Sequence, residues 1–252
     1  MSVVDDVRAG KAQIEWAEVV SKGADGTEIR VPVIRDALKI NGVRVSASAQ
    51  DLQRIADILG CLLLTPKIVD LVYQQAKLRF EPIVNIGGRI VALTTSEIYS
   101  RVLDARIREL GGDPGGLIDS VGKYWVLHKE LSYPEKLKYG HSTVCNYGWL
   151  GASAAYPALT SGLRCWQTPG FQHNDLHDDP SQLVRLMRRF GWLVQPGEQP
   201  RPLDLAMALK DEKLAPLLNY EGPLTYLRIA TVPESPPTDP PVVLPYVSPF
   251  VA

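Results

Sequence analysis

The chain has 252 residues, 45% of them hydrophobic and 22% charged, which excludes a largely disordered protein and leaves room for one large domain or two small ones. A formal net charge of -1 supplies no field that would hold a phosphate backbone or an anionic bilayer, so neither nucleic acid nor membrane is an expected partner. The one short basic group is Arg185, Arg188 and Arg189.

No run approaches the ~20 apolar residues that cross a bilayer. The opening MSVVDDVRAGKAQIEW carries aspartates, a lysine and an arginine where a signal peptide has its apolar segment. Cytoplasmic synthesis without a signal peptide is the expectation, with release by another route left open. Cys61, Cys145 and Cys165 form neither a paired framework nor a CxxC spacing, as in a reducing compartment. Cys145 and Cys165 could meet across a hairpin, and buried free thiols are the competing reading.

In chain order, residues 29–46 (IRVPVIRDALKINGVRVS) alternate around Asn41-Gly42, the strongest short hairpin signal. Ser48, with Asp51 three residues on, opens a helix in which Leu52, Ile55, Ala56 and Leu59 share a face, and Gly60 closes it. Thr65-Pro66 starts a second helix that runs to about Leu78. A third spans Ser96 to Leu110 and stops at Gly111–Gly116. That glycine cluster follows a helix instead of a strand and lacks a Lys-Ser/Thr partner, so it reads as a loop and not a phosphate cradle.

The second half changes character. KYWVLHKEL, STVCNYGW and LRCWQT are short, rich in aromatic and β-branched residues and separated by Gly and Pro, as in antiparallel sheet; QLVRLMRR and WLVQP continue the pattern. Two short helices follow near Leu203–Leu209 and Asp211–Leu218. The expected fold is α+β: an N-terminal hairpin and helices packed on a mostly antiparallel sheet, in a single domain over 1–231 with a helical sub-lobe over 47–116 as a further division. Residues 232–252, VPESPPTDPPVVLPYVSPFVA, form a Pro-rich extended tail, because each Pro removes an N–H and fixes φ. It is either a disordered end or, given Val247, Phe250 and Val251, an arm that joins subunits in a homo-oligomer.

The densest polar chemistry is GFQHNDLHDDPSQLVRLMRR, residues 170–189. Three readings of it are open. His173, His177 and Asp179 are a two-His-one-carboxylate set of the kind that holds a divalent metal with positions left open, although His-x-x-x-His aligns its rings on a helix and this stretch is a poor helix former. As an acid–base site, one histidine moves a proton while Asp179 fixes its tautomer and Lys123 or Arg185 stabilises developing negative charge, with no cofactor required. Ser181 is near in sequence but lies in no Gly-x-Ser-x-Gly elbow, and nothing in the sequence lowers the pKa of Cys61, so water is the nucleophile in that reading. The third makes the aspartates turn caps and the histidines surface groups.

Tyr147, Trp149 and Trp166 flank a Gly/Ala/Ser-rich excursion, and amphipathic rings beside a polar loop are what a sugar or peptide stacks on; Trp125, in a strongly apolar stretch, reads as core. The substrate-binding wall is therefore expected from Tyr147, Trp149 and Trp166. The reacting centre is expected from His173, His177 and Asp179, with Lys123, Ser181 and Arg185 around them.

LGCLLLTPKIVD, CNYGW and HNDLHDDPSQLVR resemble recurring blocks of a diffuse group of uncharacterised bacterial and phage-associated proteins, in which a YGW element is followed by a His, an Asp-x-Ser pair and an Arg. The likeness covers the middle of the chain and implies no assigned activity. Ser181 and Arg185 also bear a faint similarity to the ends of the Ser-His-Gly-Cys-x-Arg signature of L,D-transpeptidases, with Arg185 one position short of the place of its arginine. Gln182 stands where that signature has His and no Cys lies in the motif, so transpeptidase chemistry through that cysteine is excluded, and what the similarity implies is a cell-wall context. The combined expectation is a hydrolase-like protein acting on a peptide or glycan polymer. Its competitor is a non-catalytic phage-structural or glycan-binding interaction protein.

Overall fold

The computed structural model describes residues 2–83, 95–132, 144–229 and 231–232. The fold is α+β with mostly antiparallel sheets. The Pro-rich tail lies beyond Val232, outside the described residues, and so does the expectation that it joins subunits.

A short helix, α1 (Val3–Arg8), is closed by a capping box in which Ser2 and Asp5 satisfy each other's backbone N–H groups. After β1 (Ala12–Gln13), a hairpin absent from the sequence reading follows: β2 (Trp16–Lys22) pairs along its whole length with β3 (Glu28–Ile34). The expected Asn41-Gly42 hairpin is present but shorter. Only β4 (Lys39–Ile40) and β5 (Val43–Arg44) form it, with Asn41 at φ 50° and Gly42 at φ 78°. β3 belongs to another sheet.

Helix α2 (Ala49–Leu59) is capped by Ser48 and ended by Gly60 in the left-handed conformation. After β6 (Cys61–Leu63), α3 (Pro66–Gln75) starts at the Thr65 cap and ends three residues short of the expected Leu78, because Ala76 is already extended. The next elements are β7 (Leu78–Arg79), α4 (Ser96–Glu109) and β8 (Ile118–Asp119). The glycine-rich stretch between the last two is a loop, and β7 pairs with β8 in parallel. Each of α2, α3 and α4 packs on strands, α2 on β6, α3 on β2 and α4 on β5, so the helices are spread over the sheets.

The sheet that carries the candidate site contains β9 (Lys123–Val126), β10 (Cys145–Leu150), β11 (Tyr156–Pro157) and β12 (Arg164–Gly170), in the order β11-β12-β10-β9. A larger sheet combines β13 (Leu186–Arg188), β14 (Phe190–Val194) and β15 (Arg201–Asp204) with β3 and β6, with β2 on the free side of β3. Pro32 is tolerated inside β3 because the far edge of that strand passes from β14 at Arg30 to β13 at Val33 just there. Two short helices, α5 (Leu205–Ala208) and α6 (Ala215–Leu218), complete the order.

The two sheets are joined through β9. Its outer edge bridges in parallel to Gln182 at Lys123 and to Leu64 at Val126, and Lys123 N donates to Ser181 O at 3.0 Å. Residues 181–182 lead straight into the buried run 183–187, so the polar loop before them is fixed to the core at its C-terminal end. Buried apolar side chains from Val4 to Val232 form one contiguous core. No helix among the described residues is long and apolar enough to cross a membrane.

Candidate functional site

The loop from Phe171 to Asp179 is tied down at three points. Phe171 meets the His128 ring edge to face, centroids 4.9 Å apart. Asp175 accepts from Gln50 Nε2 at 2.9 Å and from the Thr231 hydroxyl, while Gln50 N donates to Asp175 O at 3.0 Å. Asp179 holds the far end.

Between these anchors Asn174 builds a tight turn: its Oδ1 accepts from Leu176 N at 3.0 Å and its carbonyl from His177 N at 3.3 Å. The turn brings the flanking residues together, so His173 and His177 stack with ring centroids 4.0 Å apart and planes 8° from parallel. A helix is not needed to align them, contrary to the expectation from spacing. Both rings stand edge-on to the indole of Trp125, at 6.1 and 6.4 Å.

Asp179 is shared between two groups of partners. Its Oδ1 accepts from Ser181 N at 2.9 Å and from the Ser181 hydroxyl; its Oδ2 faces Lys123 Nζ at 2.8 Å and His177 Nε2 at 3.6 Å. Burial pushes this carboxyl up, but the Lys123 ammonium and the Ser181 hydrogen bonds outweigh it and hold the group below the usual carboxylate range. His173 is lowered, first by burial and then by the neighbouring His177 and Lys123.

Lys123 is almost fully buried, and its ammonium also lies 4.9 Å from the centre of the Trp149 ring. The backbone arranges this contact. Gly148 and Trp149 have φ of 143° and 54°, which breaks the strand alternation and turns the indole toward Lys123. A Cβ at Gly148 would stand 3.0 Å from both Gly122 O and Lys123 Cα, so only glycine fits. Trp149 Nε1 then reaches the Tyr99 hydroxyl at 3.5 Å, which donates to Val121 O at 2.8 Å.

His173, His177, Asp179, Lys123 and Trp149 therefore come together, with Ser181 serving as the turn partner of Asp179. Three expected residues do not join them. Arg185 is fully buried and spends all five N–H donors on Asp119, Tyr124, and the carbonyls of Ile34, Arg35 and Ile118, so it is a core strut and no part of a basic patch. Tyr147 is fully buried on the opposite face of β10 and donates to Asp70 Oδ1 at 2.7 Å, which removes it from the expected aromatic wall. Trp166 is half-buried on β12; the indole that the histidine pair touches is that of Trp125.

Trp125 was missed as a site residue because an apolar strand reads as core, and by burial it is core, its Nε1 donating to Ala47 O at 3.0 Å. The period of two in Lys123-Tyr124-Trp125 was the available signal, since it puts the lysine and the indole on one face.

Histidine lone pairs lie in the ring planes, so two parallel stacked rings do not converge on one ion. Among the described residues no group of three His, Cys, Asp or Glu is arranged to hold a metal. Cys61, Cys145 and Cys165 are free and buried; burial raises the Cys61 thiol to about 12 and Cys165 to about 11, which leaves neither poised as a thiolate. Cys145 and Cys165 sit at opposite ends of the β10–β12 ladder. Compared with family models, with curated proteins and with solved structures, the chain matches none of them.

Proposed function

We propose that the chain is a hydrolase-like protein that cleaves a peptide or glycan polymer by His/Asp proton transfer, in a cell-wall context. The reading rests on one relationship: His177 Nε2 faces the Asp179 carboxylate at 3.6 Å while Lys123 and Ser181 fix that carboxylate in place. A histidine oriented by a fixed anion is the ordinary form of a general base, and such contacts tighten when substrate binds.

In this mechanism His177 takes a proton from water as the water attacks the substrate's electrophilic carbon, then returns it to the departing amine or hydroxyl. Asp179 fixes the tautomer and offsets the imidazolium charge. Lys123 stabilises negative charge that develops on the substrate, and Trp149 supplies a stacking surface.

A second reading, a non-catalytic glycan-binding or phage-structural protein, is favoured by a different observation: both oxygens of Asp179 already have partners, as in a turn built for rigidity. The two are separated by incubating purified cell-wall sacculi with wild type, His177→Ala and Asp179→Ala and following release of reducing sugars and new amino groups. Turnover by wild type that is lost in folded variants supports the hydrolase. Retention of the polymer without any release supports the binding protein.

A further inference from the structure

We infer that Asn146 is a ligand-recognition residue of this face and that the ligand it recognises carries an amide, either a peptide bond or the N-acetyl group of an amino sugar. The inference deepens the hydrolase reading and rests on it for the identity of the ligand-binding face.

The register of β10 fixes where Asn146 lies. It is directly opposite Trp125 on β9, and opposite residues of an antiparallel pair share a face; Lys123, two residues before Trp125, is on that face too. Asn146 is therefore beside the indole on which His173 and His177 rest. It is fully buried, and neither its Nδ2 nor its Oδ1 has a hydrogen-bond partner among the described residues.

An unpaired buried amide costs stability, and leucine, of nearly the same shape, would fill the space without that cost. The surroundings also make way for the group. On the other side of β10, Asn146 is paired with Gly170, where a Cβ would stand 2.6 Å from Asn146 Oδ1 and 2.7 Å from Gln167 Nε2. A second buried amide behaves similarly: Gln182, bridged to Lys123, accepts at its Oε1 from Asp179 N while its Nε2 has no partner among the described residues.

One donor and one acceptor on a fixed planar group are the complement of another amide, which presents an acceptor and a donor in turn. An ester offers no donor, and a pair of sugar hydroxyls offers the two only through O–H groups that rotate, whereas an amide holds both in one fixed plane. Because the histidine rings cover Trp125 on the same face, engagement of Asn146 involves displacement of the 171–179 loop.

The test uses three probes and the intact chain: a tetramer of N-acetylglucosamine, the same tetramer with its acetyl groups removed, and tetra-alanine, each titrated by calorimetry. Wild type is expected to bind the acetylated sugar or the peptide at least tenfold more tightly than the deacetylated sugar, and which of the two it prefers identifies the source of the amide. Asn146→Leu is expected to lose at least tenfold in affinity for that probe while melting at the same or a higher temperature. Asn146→Ser gives the same reading if the leucine variant does not fold. Equal binding of all three probes, no binding of any, or unchanged affinity in the folded Asn146 variant overturns the inference. Amide-selective binding through Asn146 with no turnover of any polymer would leave the inference standing and remove the hydrolase reading.

Discussion

His173 and His177 lie face to face, ring centroids 4.0 Å apart, with the edge of each directed at Trp125. Two imidazoles this close resist carrying two positive charges, and Lys123 adds a third cation nearby. His173 is therefore pushed toward its neutral form, by burial first and then by the neighbouring His177 and Lys123.

This has a consequence for stability. His173 has a folded-state pKa below its ordinary value of about 6.5, so the unfolded chain binds more protons as pH falls through that value. Its contribution to stability is present above pH ~6.5 and is lost as pH falls through the folded pKa. Urea midpoints measured from pH 7.5 to 5 are expected to decline in wild type and to decline less in His173→Gln. Parallel curves would remove the stacked pair as the cause.

Lys123→Met tests the anchor of Asp179. The substitution leaves a part-buried carboxylate with the Ser181 hydrogen bonds and the 3.6 Å contact to His177 Nε2, and loss of the lysine partner costs about 2 kcal/mol here, below the usual range because Asp179 is part-exposed. The Asp179 carboxyl is expected to titrate higher in the variant, read by carboxyl carbon chemical shifts. An unmoved Asp179 would show that Lys123 does not set its charge.

Gly148→Ala tests the backbone device that presents Trp149. A methyl group at φ 143° must push against Gly122 O and Lys123 Cα, both backbone atoms, and destabilisation of about 2 kcal/mol or more is expected. Tryptophan fluorescence should shift as the indole leaves the lysine. A variant as stable as wild type would mean that the strand relaxes around the added carbon.

Arg185→Met separates a core role from a catalytic one. It strips Asp119 of its charge partner in a fully buried site, at a cost of about 3–5 kcal/mol, enough to unfold many domains of this size. Denaturant unfolding is the measurement. A folded, inactive variant would return Arg185 to the list of reacting groups.

Local signals in the sequence carried over well where the cause was local. Ser48, Gly60, Thr65 and Pro66 act on their own turns, and Asn41-Gly42 dictates a hairpin whatever surrounds it. What depended on distant partners did not carry over. The alternation of residues 29–46 was real, but it cannot say which strand pairs with which, so β3 was assigned to the wrong hairpin and β2 was missed. Tyr147 and Trp149 are two residues apart and were expected on one wall; left-handed backbone at Gly148 and Trp149 separates them, and no propensity announces it. Arg185 looked like a site residue because an arginine gives no sign in sequence that buried carbonyls await it. His173, His177 and Asp179 were legible as a set, because polar residues crowded before a buried strand have few places to go, whereas Lys123 reaches them from β9.

The most direct measurement compares kcat and KM of wild type and His177→Gln on soluble cell-wall fragments at pH 7, with matched circular dichroism spectra. The proton-transfer account predicts kcat lower by about 100-fold or more, as for loss of a general base, with KM changed by less than about threefold. Equal kcat in the two proteins would contradict it.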